Sequence, residues 1–334
     1  MKMKIFRCLL CVLLSIAGIS SLEAAYVFKD GRFVDAKELA TQPMHVHYNL
    51  GVEAYNEENW HEAVKQFTVV VSNFSSSSWA QEALFFLGIA NFHLDEFDFS
   101  NQYFTEYLSA KGCPEHFEEA IEYKFAIAEK FREGARRHLL GTKRLPKWAS
   151  GESLALQIYD EVTAAMPSQD IAAKALYCKG LYLWELKDFR ESVDSFYLLI
   201  RRFPKHELAP ESYVAISRVY LEQSAVELQN PDILAFADVN KRKFERDFPG
   251  EERLLEVEAN VLKIKEIYAH GLFETGSFYE RKGHPKAAII YYQNTIAKFP
   301  GTEIAERCRK RLFVLGACPE LTAASGKQDD TKES

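Results

Sequence analysis

The chain has 334 residues, 47% of them hydrophobic and 27% charged, and a formal charge of −7. That balance argues against nucleic acid or an anionic membrane surface as the main partner. Few Gly and Pro accompany 16 Tyr and 24 Phe, an aromatic richness that suits packed helical hairpins.

Residues 1–25 begin with Lys2, Lys4 and Arg7, continue through an apolar run from Cys8 to Ile19, and end on the small residues Ala24 and Ala25. This is the pattern of a secretory signal, and its run is well short of the roughly 20 residues a spanning helix needs. Removing it, with Lys2, Lys4, Arg7 and Glu23 (net +2), takes the formal charge from −7 to −9. Cys8 and Cys11 open the apolar run rather than follow it, so no lipidation site is expected. Residues 26–34 alternate apolar and polar around Asp30-Gly31, which predicts a small hairpin or arm over 26–42.

A repeated template follows. Residues 180–204 place Gly180, a small residue at Ser192, an aromatic at Phe196 and a closing Phe203-Pro204. Gly180 and Ser192 let two antiparallel helices approach closely, Phe196 fills the gap one turn later, and Pro204 cannot continue the helix. Gly51, Ala63, Phe67 and Phe74 repeat it, as do Gly276, Ala288, Tyr292 and Phe299-Pro300. Gly88, Ser100 and Phe104 lack the closing pair; Ala155, Tyr159 and Met166-Pro167, and then Ala237 and Phe248-Pro249 with Lys241 in the aromatic place, match only a second helix. Six second helices are thus predicted. The 37 residues from Gly51 to Gly88, against about 34 in the tetratricopeptide (TPR) consensus, indicate an all-α, TPR-like solenoid of about six hairpins over 43–318, forming an elongated right-handed superhelix.

The array is interrupted at about 136–151, where six basic residues lie beside Leu139, Leu140 and Trp148; a solvated irregular loop is expected. Residues 251–282 contain no proline and predict one long helix or two nearly collinear ones. A polar, disordered tail is expected over 319–334. Cys113, Cys178, Cys308 and Cys318 have no metal or redox spacing; Cys308 and Cys318 are the pair best placed for a disulfide. No carboxylate or Cys completes a ligand spacing around His45, His47 and His61, so no metal or other cofactor is expected. Phosphate-loop, nucleophile-elbow and zinc-protease motifs are missing, and no catalytic residue is expected.

In a stacked array the first helices line the concave side. Their glycine-side face reads Tyr48, Val52 and Tyr55, then Phe85, Ile89 and Phe92, then Tyr177, Leu181 and Trp184, the candidate peptide groove, with packing against the neighbouring repeat as the competing reading. Leu50, Leu87 and Leu183 on the opposite face read as hairpin core.

Residues 48–110 (YNLGVEAYNEENWHEAVKQF, then ALFFLGIANFHLDEFDFS) and residues 237–300 (ADVNKRKFERDFPGEE, Phe278-Tyr279, Arg281-Lys282-Gly283, Ala287-Ala288, Phe299-Pro300) resemble the BamD type of outer-membrane assembly protein. The resemblance implies a periplasmic scaffold, peripheral to the outer membrane, that holds the barrel-inserting protein BamA, handles unfolded barrel precursors and meets the membrane only through its partners. On this reading Arg281 and Lys282 dock the partner. The alternative is a CpoB-like TPR partner of the Tol and Pal envelope system, whose members carry a coiled coil ahead of the repeats; residues 26–43 are too short for one.

Overall fold

The structure, a computed structural model, describes residues 26–29, 32–35, 39–109, 114–227 and 230–317. The signal-like segment, Asp30-Gly31, Cys113, Cys318 and the tail lie outside them. The chain divides after Ala155 into two units.

In the first unit, strands β1 (Tyr26–Lys29) and β2 (Arg32–Asp35) pair antiparallel with Val27 opposite Val34. Then come α1 (Met44–Asn56), α2 (Trp60–Asn73), α3 (Ser78–His93), α4 (Phe97–Leu108) and α5 (Phe117–Arg132). The 136–151 stretch is not an irregular loop: β3 (Arg136–His138) and β4 (Lys147–Ser150) form an antiparallel hairpin with a bulge after Arg137. The helix α6 (Glu152–Ala165) starts at the end of this unit. The second unit continues with α7 (Asp170–Glu185), α8 (Phe189–Arg202), α9 (Leu208–Val226), α10 (Pro231–Asp247), α11 (Leu254–Arg281), α12 (Pro285–Lys298) and α13 (Glu303–Val314). The six expected second helices are α2, α4, α6, α8, α10 and α12. The proline-free stretch is one continuous helix of 28 residues, α11.

The template works through contact. A Cβ added at Gly51, Gly88, Gly180 or Gly276 would lie 2.8, 2.6, 2.7 and 2.7 Å from a ring carbon of Phe67, Phe104, Phe196 and Tyr292. Each of those rings is fully buried, so none can swing aside. In two hairpins the small residue also closes the seam by hydrogen bond: Ser100 Oγ donates to the Gly88 carbonyl at 2.7 Å and Ser192 Oγ to that of Gly180 at 2.8 Å.

The turn inside these four hairpins is also common to them. Glu58, Asp95, Lys187 and Gly283 each adopt φ between 55° and 77°. The next residue then donates back to the carbonyl five positions earlier (Asn59 to Ala54, Glu96 to Asn91, Asp188 to Leu183, His284 to Tyr279, all 2.8–2.9 Å), which satisfies a helix-end carbonyl by the Schellman arrangement. Second helices end on Phe74, Phe203, Phe248 and Phe299, each with φ near −130°. The fifth hairpin departs from the pattern. Its first helix, α9, contains no glycine, and Phe244, not position 241, supplies the buried ring, stacked on Tyr213 at 5.1 Å. Leu50, expected in a hairpin core, is exposed, whereas Leu87 and Leu183 are buried as expected.

Candidate functional site

The nine groove candidates do not share one environment. Tyr48, Phe85 and Ile89 are 8%, 2% and 1% exposed. Tyr48 meets Phe67 and Trp79 edge-on, and Phe85 packs on Phe104 and stacks on His116 at 4.4 Å. These three are a correction: the following helices cover them, and a peptide could reach them only by repacking the core. Val52, Tyr55, Phe92, Tyr177, Leu181 and Trp184 are half-buried, with an edge still in solvent.

In the first unit Tyr55 lies edge-on to Trp60 and Phe86, while Phe92 meets Tyr123 at 5.4 Å. Burial, and next the Glu119 carboxylate, push the Tyr55 phenol up. Tyr123, half-buried on α5, was not picked out from the sequence; it follows the template's glycine by no fixed interval, and only the fold brings it to Tyr55 and Phe92. This rim offers ring faces and one acidic edge. In the second unit the Trp184 indole donates to Glu222 Oε2 at 2.6 Å, and Lys187 pairs with the same carboxylate. Tyr177 lies edge-on to Phe196 at 5.5 Å, and burial pushes its phenol up to about 12. Trp184 is therefore held by a charged partner rather than presented freely.

The clefts of the second unit open elsewhere. One of about 880 Å³ lies between α8 and α10, lined by Tyr197, Arg201, Tyr213, Lys243 and Asp247 among others. A neighbour of about 460 Å³ is lined by Phe189, Tyr220 and Phe236, and one of about 720 Å³ lies beside α11 at Leu262, Ile267 and Ile304. None of the nine candidates lines these three.

Arg281 and Lys282 are exposed at the end of α11, Lys282 lying 5.8 Å over the Phe278 ring. Beneath them Glu280 receives Arg311 from α13 and the Tyr292 hydroxyl from α12 at 2.9 Å. The Arg311 guanidinium, ahead of the opposing effect of burial, holds the Glu280 carboxyl below its ordinary range. The two cations thus sit on a three-helix junction that is already tied together. Other charges of α11 are used within the unit: Glu258 pairs with Lys241 at 2.7 Å, Lys265 with Asp238 at 3.4 Å, and Glu266 accepts from the Ile304 amide at the start of α13.

Among the described residues, a cluster of carboxylates and a histidine lies outside these surfaces. Glu96, Asp98 and His138 bring donor atoms within 4.8 Å of one another. The buried His138 ring has Nδ1 3.0 Å from Asp98 and Nε2 3.4 Å from Glu96, and the Lys147 ammonium lies 3.2 Å from Glu96. With a cation already on Glu96 and the His138 amide on Asp98, the group acts as a clasp between the hairpin and the α3–α4 turn. Of the sequence's histidines, His47 is buried and committed to Gln66 at 2.7 Å; His45 and His61 are exposed. Cys308 is a buried free thiol. No described helix is long and apolar enough to cross a membrane.

Tandem antiparallel hairpins with a small residue opposite a buried ring define a TPR-like helical array, a class of scaffold that works by binding other proteins. No family model matches the sequence, and no curated relative does. Among solved structures the chain is similar to a TPR protein from Parabacteroides merdae (12% identity, TM-score 0.34, 80% of this chain and 97% of that one) and to a TPR-repeats protein from Bacteroides fragilis (10%, 0.41, 82% and 100%). It is also similar to MamA from Desulfovibrio magneticus (16%, 0.34, 65% and 95%).

Proposed function

We propose that the chain is a non-catalytic periplasmic scaffold, peripheral to the outer membrane, that takes part in assembly of β-barrel proteins. Its C-terminal region holds a barrel-inserting protein of the BamA kind, and the half-buried rim at Tyr55 and Phe92 receives unfolded precursors. The observation that carries the reading is the junction of α11, α12 and α13: Arg281 and Lys282, within the stretch that resembles the BamD type, stand exposed on a platform fixed by Glu280, Arg311 and Tyr292. Solvent-facing cations beside an exposed Phe278 have the composition of an interface, an aromatic anchor with a charged rim.

The test is copurification of the barrel-inserting protein from crosslinked envelopes carrying Arg281→Glu with Lys282→Glu. Both side chains are exposed, so the double variant should keep its melting temperature while the yield of partner falls at least several-fold. Undiminished copurification, with that variant and also with a chain truncated after Phe236, contradicts C-terminal docking.

A further inference from the structure

The β3–β4 hairpin is chemically unlike the rest of the molecule. Residues 134–151 contain five Lys or Arg and no Asp or Glu, within a chain of net charge −7. Two large apolar side chains point outward from it: Leu140 is 92% exposed and Trp148 69%. An exposed Leu on the turn and an exposed Trp on β4 have a cost in water that folding does not offset, and together with cations they are the composition of a segment seated at a bilayer interface.

The hairpin is also held firmly. On its inner side His138 lies between Asp98 and Glu96, and Lys147 pairs with Glu96 and donates to the Asp95 carbonyl at 2.9 Å. Lys143 donates to Asn91 at 2.9 Å and sits 4.8 Å over the Phe99 ring. Because side chains alternate along a strand, Trp148 faces away where Lys147 faces the helices. Arg136 and Arg144 are exposed on the same hairpin. Arg136 donates once across the hairpin, to the Trp148 carbonyl at 3.1 Å, and a guanidinium has five donors.

We propose that this hairpin is a direct contact for an anionic phospholipid bilayer, in which Leu140 and Trp148 enter the interface and Arg136 and Arg144 engage lipid phosphates. A bilayer is favoured over a protein groove because the cations flank apolar side chains that protrude, and because an uninterrupted positive stretch complements a uniformly negative surface. The contact goes beyond the proposed scaffold role, which brings the chain to the membrane only through partners, and it stands or falls independently of Arg281 and Lys282.

Flotation of the full chain with phosphatidylglycerol vesicles and with phosphatidylcholine vesicles tests it, scored against two variants, Leu140→Ser with Trp148→Ser and Arg136→Glu with Arg144→Glu. The apolar leading segment is common to all three proteins and cancels in the comparison. Since each basic residue near an anionic surface contributes on the order of 1 kcal/mol, the charge variant should bind the anionic vesicles roughly tenfold more weakly or worse, and 0.5 M salt should mimic it. Brominated lipid should quench the wild-type fluorescence more than that of Trp148→Phe, the difference reporting Trp148 alone. Both surface variants should melt as wild type does. Equal binding of variants and wild type, equal binding to neutral vesicles, or identical quenching with and without Trp148 overturns the proposal. Capture of an acidic protein by the hairpin without any vesicle binding overturns it as well, and assigns the surface to a protein.

Discussion

The two units solve the same packing problem with different chemistry. In the first, helices meet mainly through rings: Phe67 stacks on Phe86 at 5.2 Å, Phe104 on Tyr123 at 5.3 Å, and Trp60 on His93 at 4.3 Å. The second keeps the rings, with Tyr279 on Tyr291 at 5.5 Å, and adds ion pairs that cross from helix to helix. Arg218 of α9 meets Glu256 of α11, Arg253 reaches Glu211 at 3.4 Å, and Arg311 of α13 meets Glu280 of α11. Ring contacts depend little on salt or pH, whereas part-exposed ion pairs depend on both. Among the described residues, conditions should therefore hardly touch the ring contacts of the first unit and should loosen the helix-to-helix ion pairs of the second.

The largest expected effect should fall equally on both units, because it removes the element they share. Gly88→Leu and Gly180→Leu would each drive a side chain into a fully buried ring, 2.6 Å from Phe104 and 2.7 Å from Phe196 already at Cβ. Each is expected to cost about 1–3 kcal/mol by overpacking, read as a lowered midpoint in urea. Gly301→Ala, where a Cβ would meet nothing within 4 Å, is the matched control and should be near neutral. A glycine variant that melts like the control would show that its helix pair does not need the close approach.

That shared element is what the sequence made legible, because close approach imposes a fixed interval: a small residue, another twelve on, a ring sixteen on. The interval found the hairpins of Gly51, Gly88, Gly180 and Gly276 and the positions of their rings. It failed where packing used another solution, as in the fifth hairpin, where Phe244 stacks on Tyr213. It also could not separate rings that cover a neighbour from rings left in solvent. Phe85 and Phe92 lie on one helix face at helical spacing, yet His116 covers the first while the second keeps an open edge. The β3–β4 hairpin was illegible for a different reason. What orders it is Asp98, forty residues from His138, and no local pattern encodes that partner. The buried Lys124, held by Asn101 at 2.9 Å and Thr105 at 2.6 Å, was hidden in the same way.

Acid should separate the units next. In the second unit Lys174 holds the Asp170 carboxyl below its ordinary range, Lys187 that of Glu222, Arg246 that of Asp247 and Arg218 that of Glu256. In the first, Gln66 does the same for Glu62. A carboxyl depressed in the folded state contributes stability that is fully present above its unfolded value, near 4.3 for Glu and 3.9 for Asp, and that is lost as pH falls through the folded value. Each group is part-exposed, so each contribution is small, but they act in the same direction. Lowering the pH from 6 to 3 should broaden the methyl signals of Ile216 and Ile264, buried in the second unit, before those of Ile121 and Ile127 in the first. Simultaneous loss, or earlier loss of Ile121 and Ile127, would mean that the charged seams are not what distinguishes the units.

The smallest effect is the most specific. Arg218 Nε lies 2.6 Å from Glu256 Oε1 and Nη2 3.0 Å from Oε2, a two-pronged pair, but both side chains are about two-fifths exposed. Solvent screening therefore limits the coupling to about 0.2–1 kcal/mol, despite the favourable fork geometry. A single substitution would mislead, because Arg218 Nη1 also lies 3.6 Å from Glu211, which Arg253 shares. Removing Glu256 leaves that second carboxylate to recapture the guanidinium. The full cycle of Arg218→Ala, Glu256→Ala and the double variant cancels such side effects to first order, and it should be measured in 0.05 M and in 1 M salt. Coupling below 1 kcal/mol that shrinks in high salt fits a solvent-screened seam. Coupling of 2 kcal/mol or more that survives 1 M salt would mean that water is largely excluded between α9 and α11, and the second unit would then be the harder of the two to loosen.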